Sequence, residues 1–139
     1  MKTKLFKISA QEWEAYETHA HRAVFAETLP PGTQRIDFAL LVVDEATDKP
    51  VAYMTLRELD SANIYMKHGG SFDLIRGTGA SLSCYKVMLE WLEQRYKNLT
   101  TLVENTNIVY LKMAMSQGFR VIGIRNFQGT ILLELLKEV

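Results

Sequence analysis

The sequence predicts an α+β fold in which helices flank a mixed, mostly antiparallel central sheet, with the element order β-α-β-β-β-α-β-α-β-β. Two segments rich in β-branched and aromatic residues, 38–45 and 51–59, flank the turn-forming ATDKP and indicate a hairpin. Two helical patterns follow, one at about 80–97 and one after Asn107. A short apolar segment, 99–104, separates them, so a crossover should place it parallel to the strand before the first of these helices.

The amino-terminal part of the chain combines one strand with one helix. Alternation over 4–9 predicts the strand, and Ser9 with Glu12 forms the S-x-x-E capping box that begins a helix. Trp13 and later apolar residues recur at helical spacing, so this helix should extend over about 10–25. The LPPG segment that follows ends it, because proline cannot donate to a helical ladder.

Glycines mark the boundaries of the later elements. The strand predicted at 63–72 contains Gly69 and Gly70, which suggest a β-bulge or a close backbone approach. Gly118 stands where a helix would end in a left-handed residue. Two apolar segments around 126–129 close the chain as a hairpin.

Composition bounds the class of protein. The 139 residues suit one domain, 1–139, and 16 basic side chains balance 16 acidic ones, which favours neither nucleic acid nor a membrane surface as partner. The single cysteine, Cys84, cannot form an internal disulfide, so nothing indicates an oxidising compartment. The amino terminus does not resemble a signal peptide, and no apolar segment approaches the roughly 18 residues of a membrane span. We therefore expect a cytoplasmic protein.

The stretch IRGTGAS, 75–81, lies between a predicted strand and a predicted helix, where glycine-rich loops often bind phosphate. A Walker loop needs a Gly-Lys pair, which is missing here. A dinucleotide fingerprint would begin at Gly77, but leucine, Leu82, occupies its third glycine position. Neither of these two common motifs explains the stretch.

What remains is the pattern R-x-x-G-x-S, from Arg76 to Ser81, at the beginning of a helix. Backbone N–H groups in a first helical turn point outward, and the helix dipole adds partial positive charge, so a pyrophosphate fits such a site. On this stretch alone, Gly77 and Gly79 equally suit a simple strand-to-helix turn.

A second segment, VENTNIVYLKMAMSQGFRVIG at 103–123, follows the glycine-loop helix directly. Together the two segments resemble the GCN5-related N-acetyltransferase (GNAT) family, whose pyrophosphate loop is R/Q-x-x-G-x-G/A. Its next block is N-x-x-A-x-x-L-Y-x-K-x-G-F. Arg76 and Gly79 match the loop, and Ser81 replaces its final small residue.

In the second block Asn107, Gly118 and Phe119 fall in register with the family pattern. The tyrosine position, four residues before the glycine, is Ala114 in this chain. That departure matters because the family's tyrosine commonly protonates the departing coenzyme A thiolate.

The resemblance implies that acetyl-CoA lies between two strands that splay apart near 69–74, without any metal. Its pantetheine arm would bond to backbone at the end of one strand, its pyrophosphate would rest on the loop and the first helical turn, and Asn107 would face the arm. The cofactor-binding residues expected on this basis are Ser71, Phe72, Asp73, Leu74, Arg76, Gly77, Thr78, Gly79, Ala80, Ser81 and Asn107.

The implied chemistry is a direct attack by a primary amine on the thioester, with a backbone N–H near Phe72 stabilising the carbonyl oxygen. His68 and Glu58, on adjacent predicted strands, are the candidate bases, and the alternative for each is an ordinary surface side chain. Tyr110 lies one turn before Ala114 and is the candidate acid, although it equally suits packing or lining of the arm.

The other partners are predicted only by class. His19 and His21 diverge on a helix and lack neighbouring cysteines or carboxylates, so we expect no metal. The expected partners are acetyl-CoA and an amine-bearing small molecule or protein, without nucleic acid or membrane, and a homodimer is left open. Transfer of another acyl group, and a protein of this fold that binds without transferring, are the alternatives.

Overall fold

The computed structural model describes residues 1–25, 35–72 and 79–139, and the side chains of 1–17 within the first of these ranges. Their elements follow the predicted order. The strands and helices are β1 (Thr3–Ser9), α1 (Ala10–Phe25), β2 (Phe38–Asp44), β3 (Pro50–Glu58), β4 (Asn63–Ser71), α2 (Ala80–Glu93), β5 (Asn98–Glu104), α3 (Ile108–Ser116), β6 (Arg120–Phe127) and β7 (Thr130–Glu138). No helix among these residues is long and apolar enough to cross a membrane.

The seven strands form one sheet in the order β1-β2-β3-β4-β5-β7-β6. Every neighbouring pair is antiparallel except β4 and β5, which are parallel and are joined through α2. The predicted fold class, a mixed and mostly antiparallel sheet flanked by helices, is therefore confirmed.

Local signals in the sequence act as predicted at two helix ends. Ser9 and Glu12 form the capping box, with Glu12 N–H donating to Ser9 Oγ at 3.0 Å and Ser9 N–H donating to Glu12 Oε1 at 3.2 Å. Gly118 adopts a φ of +96°, the left-handed conformation that glycine permits after α3. The predicted end of α2 was wrong: the helix stops at Glu93, because the Leu92 carbonyl accepts from two later amides and tightens the last turn.

Alternation along the strands divides the core into two clusters, one on each face of the sheet. The larger cluster contains the buried residues of α2 and α3, including Tyr85 and Ala114. The smaller cluster lies under α1, where Trp13 stacks on Tyr53 at 4.9 Å and Tyr53 contacts Phe72 at 5.7 Å between ring centroids. Two helices therefore cover one face, and α1 packs on the other.

A β-bulge lies in β4 at Lys67. Thr55 pairs with His68 and Leu56 pairs with Met66, so Lys67 is the extra residue. Of the two alternatives predicted for the glycine pair, the bulge is not there, because Gly69 continues the register beyond Lys67. A Cβ at Gly69 would lie 3.3 Å from the Tyr53 carbonyl oxygen, so the predicted close backbone approach is present there.

The Thr55 side chain fills the hydrogen-bonding gap that the bulge creates. Its hydroxyl accepts from the His68 N–H at 3.1 Å and donates to the His68 carbonyl at 3.3 Å, and the residue is only 1% exposed. One buried hydroxyl thus bonds to both backbone groups of the residue that follows the bulge.

Pairing between β4 and β5 ends at the level of this bulge. Only Asn63–Met66 pairs with Asn98–Thr101, and both strands continue beyond that point. At the last pair the Thr101 hydroxyl, which is buried, donates to the Met66 carbonyl at 2.8 Å. The two strands therefore form a fork whose closed end is the Met66–Thr101 pair.

Replacement of Thr55 by valine should destabilise the fold, because Thr55→Val leaves both His68 backbone groups without the hydroxyl. We expect a loss of about 1–3 kcal/mol in the free energy of unfolding, measured by chemical denaturation. The exposed Thr130→Val serves as the matched control and should change it by less than about 0.5 kcal/mol. Equal effects of the two substitutions would contradict the assigned role of Thr55.

Candidate functional site

The fork opens between the last residues of β4 and β5, and both following helices begin beside its mouth. α2 begins at Ala80 and α3 at Ile108, a few residues beyond the strand ends. A hydrogen bond of 3.0 Å from Ser71 Oγ to Ser81 Oγ joins the end of β4 to the first turn of α2. Two of the predicted cofactor-binding residues are thus in direct contact.

The backbone of β4 alternates in the direction of its hydrogen bonds. Phe72 N–H donates to the Val51 carbonyl at 2.9 Å, so Phe72 and Gly70 bond toward β3. By the same alternation the peptide groups of Gly69 and Ser71 point toward the fork. The prediction for Phe72 therefore needs a correction: its N–H is used by the sheet and its ring is buried under α1, so Gly69 and Ser71 provide the backbone groups on the fork side.

Within the part of the chain that the structure describes, nothing covers the amino terminus of α2. Its N-cap residue, Gly79, has no side chain to cap the helix, and a Cβ built there would meet no described atom within 4 Å. Ala80 and Ser81 form the first turn of the helix. The remaining predicted residues of the loop lie outside the described residues, namely Asp73, Leu74, Arg76, Gly77 and Thr78.

Asn107 lies across the mouth of the fork, at the beginning of α3. Its Oδ1 accepts from the Tyr110 N–H at 3.2 Å, so the side chain caps the helix. Asn107 therefore has a structural function that is independent of any ligand, and its predicted contact with the cofactor stays a prediction.

Tyr110 reaches the closed end of the fork. Its hydroxyl lies 3.2 Å from that of Tyr85 on α2 and is hydrogen-bonded with the Thr101 side chain. Burial raises the pKa of Tyr110, while both of these hydrogen bonds act in the opposite direction. Ala114, at the family's tyrosine position, is fully buried in the core. A phenol that contacts the last strand pair thus comes from one turn earlier on α3 than Ala114.

The two predicted bases lie in different places. His68 follows the bulge directly and shares the α1 face of the sheet with its partner Thr55. Glu58 pairs with Ile64 and so lies toward the closed side of the fork, where it accepts a hydrogen bond of 2.9 Å from the Tyr96 hydroxyl. The structure therefore brings His68, and not Glu58, to the level where the strands separate.

Sequence reasoning missed the charged groups under α1. Glu17 is only 4% exposed, and its carboxylate is near enough to Lys67 to raise the pKa of that amine, against a larger lowering by burial. Glu17 follows Trp13 by four residues, and this spacing places both side chains on the buried face of α1. An acidic residue at an inward position was the signal that could have found it.

The part of the chain that the structure describes contains no group of three or more His, Cys, Asp or Glu side chains suited to a metal. Cys84 is buried within the larger cluster, and burial raises the pKa of its thiol. The predicted histidines, His19 and His21, lie where side chains are not described.

Solved structures share this architecture. The ribosomal-protein-S18-alanine N-acetyltransferase from Escherichia coli matches with a TM-score of 0.80 over 99% of this chain and 94% of that one, at 11% identity. The protein has the GNAT fold. An IAA acetyltransferase from Bacillus cereus matches with a TM-score of 0.77 over 99% and 100% of the two chains, at 11% identity.

A GNAT acetyltransferase from Elizabethkingia anophelis, solved with acetyl-CoA bound, matches with a TM-score of 0.62 and 20% identity over 73% of this chain and 76% of that one. No protein-family model matches the sequence, and no curated protein matches it. The GNAT fold of this chain is therefore shown by its three-dimensional structure alone.

The contact between Tyr96 and Glu58 predicts a pH effect on stability. Burial, then the hydrogen bond to Glu58, raises the pKa of Tyr96 to about 12. The folded protein holds this proton more tightly than the unfolded chain, so the contribution is present below about pH 10 and is lost between about 10 and 12. Tyr96→Phe should be less stable than wild type below pH 10, and denaturant titrations should show the difference narrowing toward pH 12. A constant difference would contradict this assignment.

Proposed function

We propose that this protein is an N-acetyltransferase that transfers an acetyl group from acetyl-CoA to a primary amine by direct attack. The observation that carries the proposal is the fork, where β4 and β5 stop pairing at Met66 and Thr101 beside the open end of α2. The shared fold supports it, since acetyltransferases with this fold include one solved with acetyl-CoA.

The residues at the fork suit acetyl-CoA as cosubstrate. Peptide groups of Gly69 and Ser71 can pair with the amides of a pantetheine arm in the manner of a strand. The first turn of α2 suits an anionic diphosphate, because Gly79 leaves the helix end sterically open. The loop residues predicted from the sequence, Arg76 among them, complete this proposed binding site. Bound acetyl-CoA would supply the activated acetyl group.

The packing of the helices indicates how the amine approaches. α2 and α3 cover one face of the sheet, so the acceptor enters the fork from the face of α1. There His68 accepts the proton of the attacking nitrogen as the new C–N bond forms and the C–S bond breaks. The N–H groups of Gly69 and Ser71 stabilise the charge on the carbonyl oxygen. Tyr110 provides the proton that converts the departing thiolate into a thiol.

A binding or structural protein without transfer activity is the second candidate. It is favoured by Ala114, which is fully buried and leaves the family's usual acid position without a hydroxyl. Binding of coenzyme A is required of the enzyme and not of the second candidate, and only the enzyme releases thiol. A homodimer and a cytoplasmic location remain predictions of the sequence that accompany either candidate.

Ligand binding is tested at Gly79. Gly79→Asp places a carboxylate at the site proposed for the diphosphate, whereas Gly79→Asn places a neutral side chain of the same shape there. Because the backbone at Gly79 has an ordinary φ of −62° and open space around it, both variants should fold, and both residues suit an N-cap.

We expect coenzyme A at a hundred times its Kd to stabilise wild type and Gly79→Asn by about 2.7 kcal/mol. Gly79→Asp should lose most of this stabilisation, measured by thermal shift with coenzyme A and acetyl-CoA. Absence of any shift in wild type at millimolar ligand would contradict the proposed enzyme and would favour the second candidate.

Turnover is tested by release of free thiol from acetyl-CoA with a panel of primary amines. His68→Gln should lower kcat/KM by roughly 10²–10⁴ if the imidazole is the base, with coenzyme A binding unchanged. Glu58→Gln is the competing variant, and a larger loss in Glu58→Gln than in His68→Gln would assign the base to Glu58. Binding without thiol release for every amine tested would favour the second candidate.

A further inference from the structure

Three hydroxyl groups form a hydrogen-bonded chain that ends on the closed end of the fork. The Thr101 hydroxyl has one proton and donates it to the Met66 carbonyl at 2.8 Å. The oxygens of Tyr85 and Tyr110 lie 3.2 Å apart, and beyond the effect of burial their hydrogen bond raises the pKa of Tyr85 and lowers that of Tyr110, the pattern of a bond that Tyr85 donates. A contact with the Thr101 side chain also lowers the pKa of Tyr110, so Thr101 acts on the same oxygen.

The chain connects three elements that otherwise meet only through apolar packing. Tyr85 is 4% exposed on α2, Tyr110 is partly buried on α3, and Thr101 is buried on β5. The two rings meet edge to face with centroids 5.8 Å apart, which fixes the direction of the Tyr110 hydroxyl. A buried network that is fully satisfied in this way holds its members in one arrangement.

We propose that Tyr85 and Thr101 are positioning residues that aim the Tyr110 hydroxyl at the fork and stabilise its oxygen after it has given up its proton. This inference rests on the proposed transfer activity. It assigns the proton donor of that reaction to Tyr110 together with its two hydroxyl neighbours. The position at which the family usually carries the donor is Ala114 in this chain.

The proton transfer balances within these groups. The Tyr110 O–H bond breaks and an S–H bond forms on the departing thiolate, which leaves a phenolate on Tyr110. Tyr85 already donates to that oxygen. The Thr101 hydroxyl can rotate its proton from the Met66 carbonyl to the phenolate, so two hydrogen bonds stabilise the charge.

Few other ionisable groups of the described residues face Tyr110. From α2 the titratable side chains in the same cluster are Tyr85 and Cys84. From β5 only Leu99, Thr101 and Val103 point to this face, and none of them titrates. On α3 itself Lys112 is exposed. Burial therefore opposes ionisation of Tyr110, and its two hydroxyl neighbours are the groups that favour it.

The test compares kcat with binding in variants that remove one hydroxyl at a time. We expect Tyr110→Phe to lower kcat roughly 10²-fold, as for loss of a general acid. Tyr85→Phe and Thr101→Val should each lower kcat about tenfold, with the coenzyme A thermal shift unchanged. Thr101→Ser restores the hydroxyl and should restore kcat.

Thr100→Val is the matched control for Thr101→Val. Its hydroxyl also donates to a β4 carbonyl, that of Ile64 at 3.4 Å, but its side chain lies on the opposite face of the sheet. We expect kcat near the wild-type value in this variant. A loss equal to that of Thr101→Val would show that the effect comes from the strand pair alone and would overturn the inference.

A second measurement needs no turnover. The ultraviolet absorbance of the thiolate of bound coenzyme A is titrated with pH, with the unliganded protein as the blank for Cys84. Free thiols ionise near pH 8.5. If Tyr110 donates to this sulfur, its thiolate should appear at lower pH in wild type than in Tyr85→Phe or Tyr110→Phe.

The outcomes separate the two proposals. A wild type that transfers acetyl groups, with Tyr85→Phe and Thr101→Val at full kcat and unchanged thiolate titration, overturns the hydroxyl system and leaves the proposed function intact. A wild type that binds coenzyme A but transfers nothing overturns both. Loss of kcat in both variants, with recovery in Thr101→Ser, supports both.

Discussion

The structure depends on the interruption of one parallel strand pair. β4 and β5 pair over four residues and then separate, although both continue. Backbone groups released from a ladder inside a protein need other partners. On the fork side the Thr101 hydroxyl bonds to the Met66 carbonyl, and on the opposite side of β4, at the bulge, Thr55 bonds to both backbone groups of His68. The point where the sheet opens is therefore held by side chains from both strands that neighbour β4.

This discontinuity explains why the chemical groups of the candidate site come from separated segments. The strand end supplies peptide groups, α2 supplies an open amino terminus, and α3 supplies a phenol that contacts the last pair. The chain lacks a hydroxyl at Ala114, yet the larger cluster has room for two tyrosine rings from neighbouring helices. The proposed donor, Tyr110, thus lies one helical turn before Ala114, and its oxygen is at the level of the Met66–Thr101 pair.

Much of the architecture followed from local patterns. The period-2 and period-3.6 segments predicted every element, and the Ser9–Glu12 capping box and Gly118 predicted helix ends that the structure confirms. Resemblance to the acetyltransferases selected Ser71 and Ser81, which lie in contact in the structure, and their binding of a cofactor stays a prediction. These features are set by residues close together in the sequence.

Contacts between distant segments could not be predicted from the sequence. Of the two alternatives for the glycine pair, a bulge or a close backbone approach, the second is present, and the bulge lies at Lys67, where Thr55 on another strand bonds to the backbone. The position of the Tyr110 hydroxyl depends on Tyr85, which lies 25 residues earlier. The oxyanion donor was expected near Phe72, and the N–H of Phe72 itself is bonded to β3. Each of these facts belongs to the tertiary structure.

The division of the core by the sheet has an evolutionary consequence. Side chains under α1 and those under α2 and α3 share no cluster, so substitutions on one face leave the packing of the other nearly undisturbed. Trp13, Tyr16 and Glu17 can vary without repacking the tyrosine pair. A lineage built on this scaffold can therefore alter the α1 face while the residues at the closed end of the fork stay unchanged.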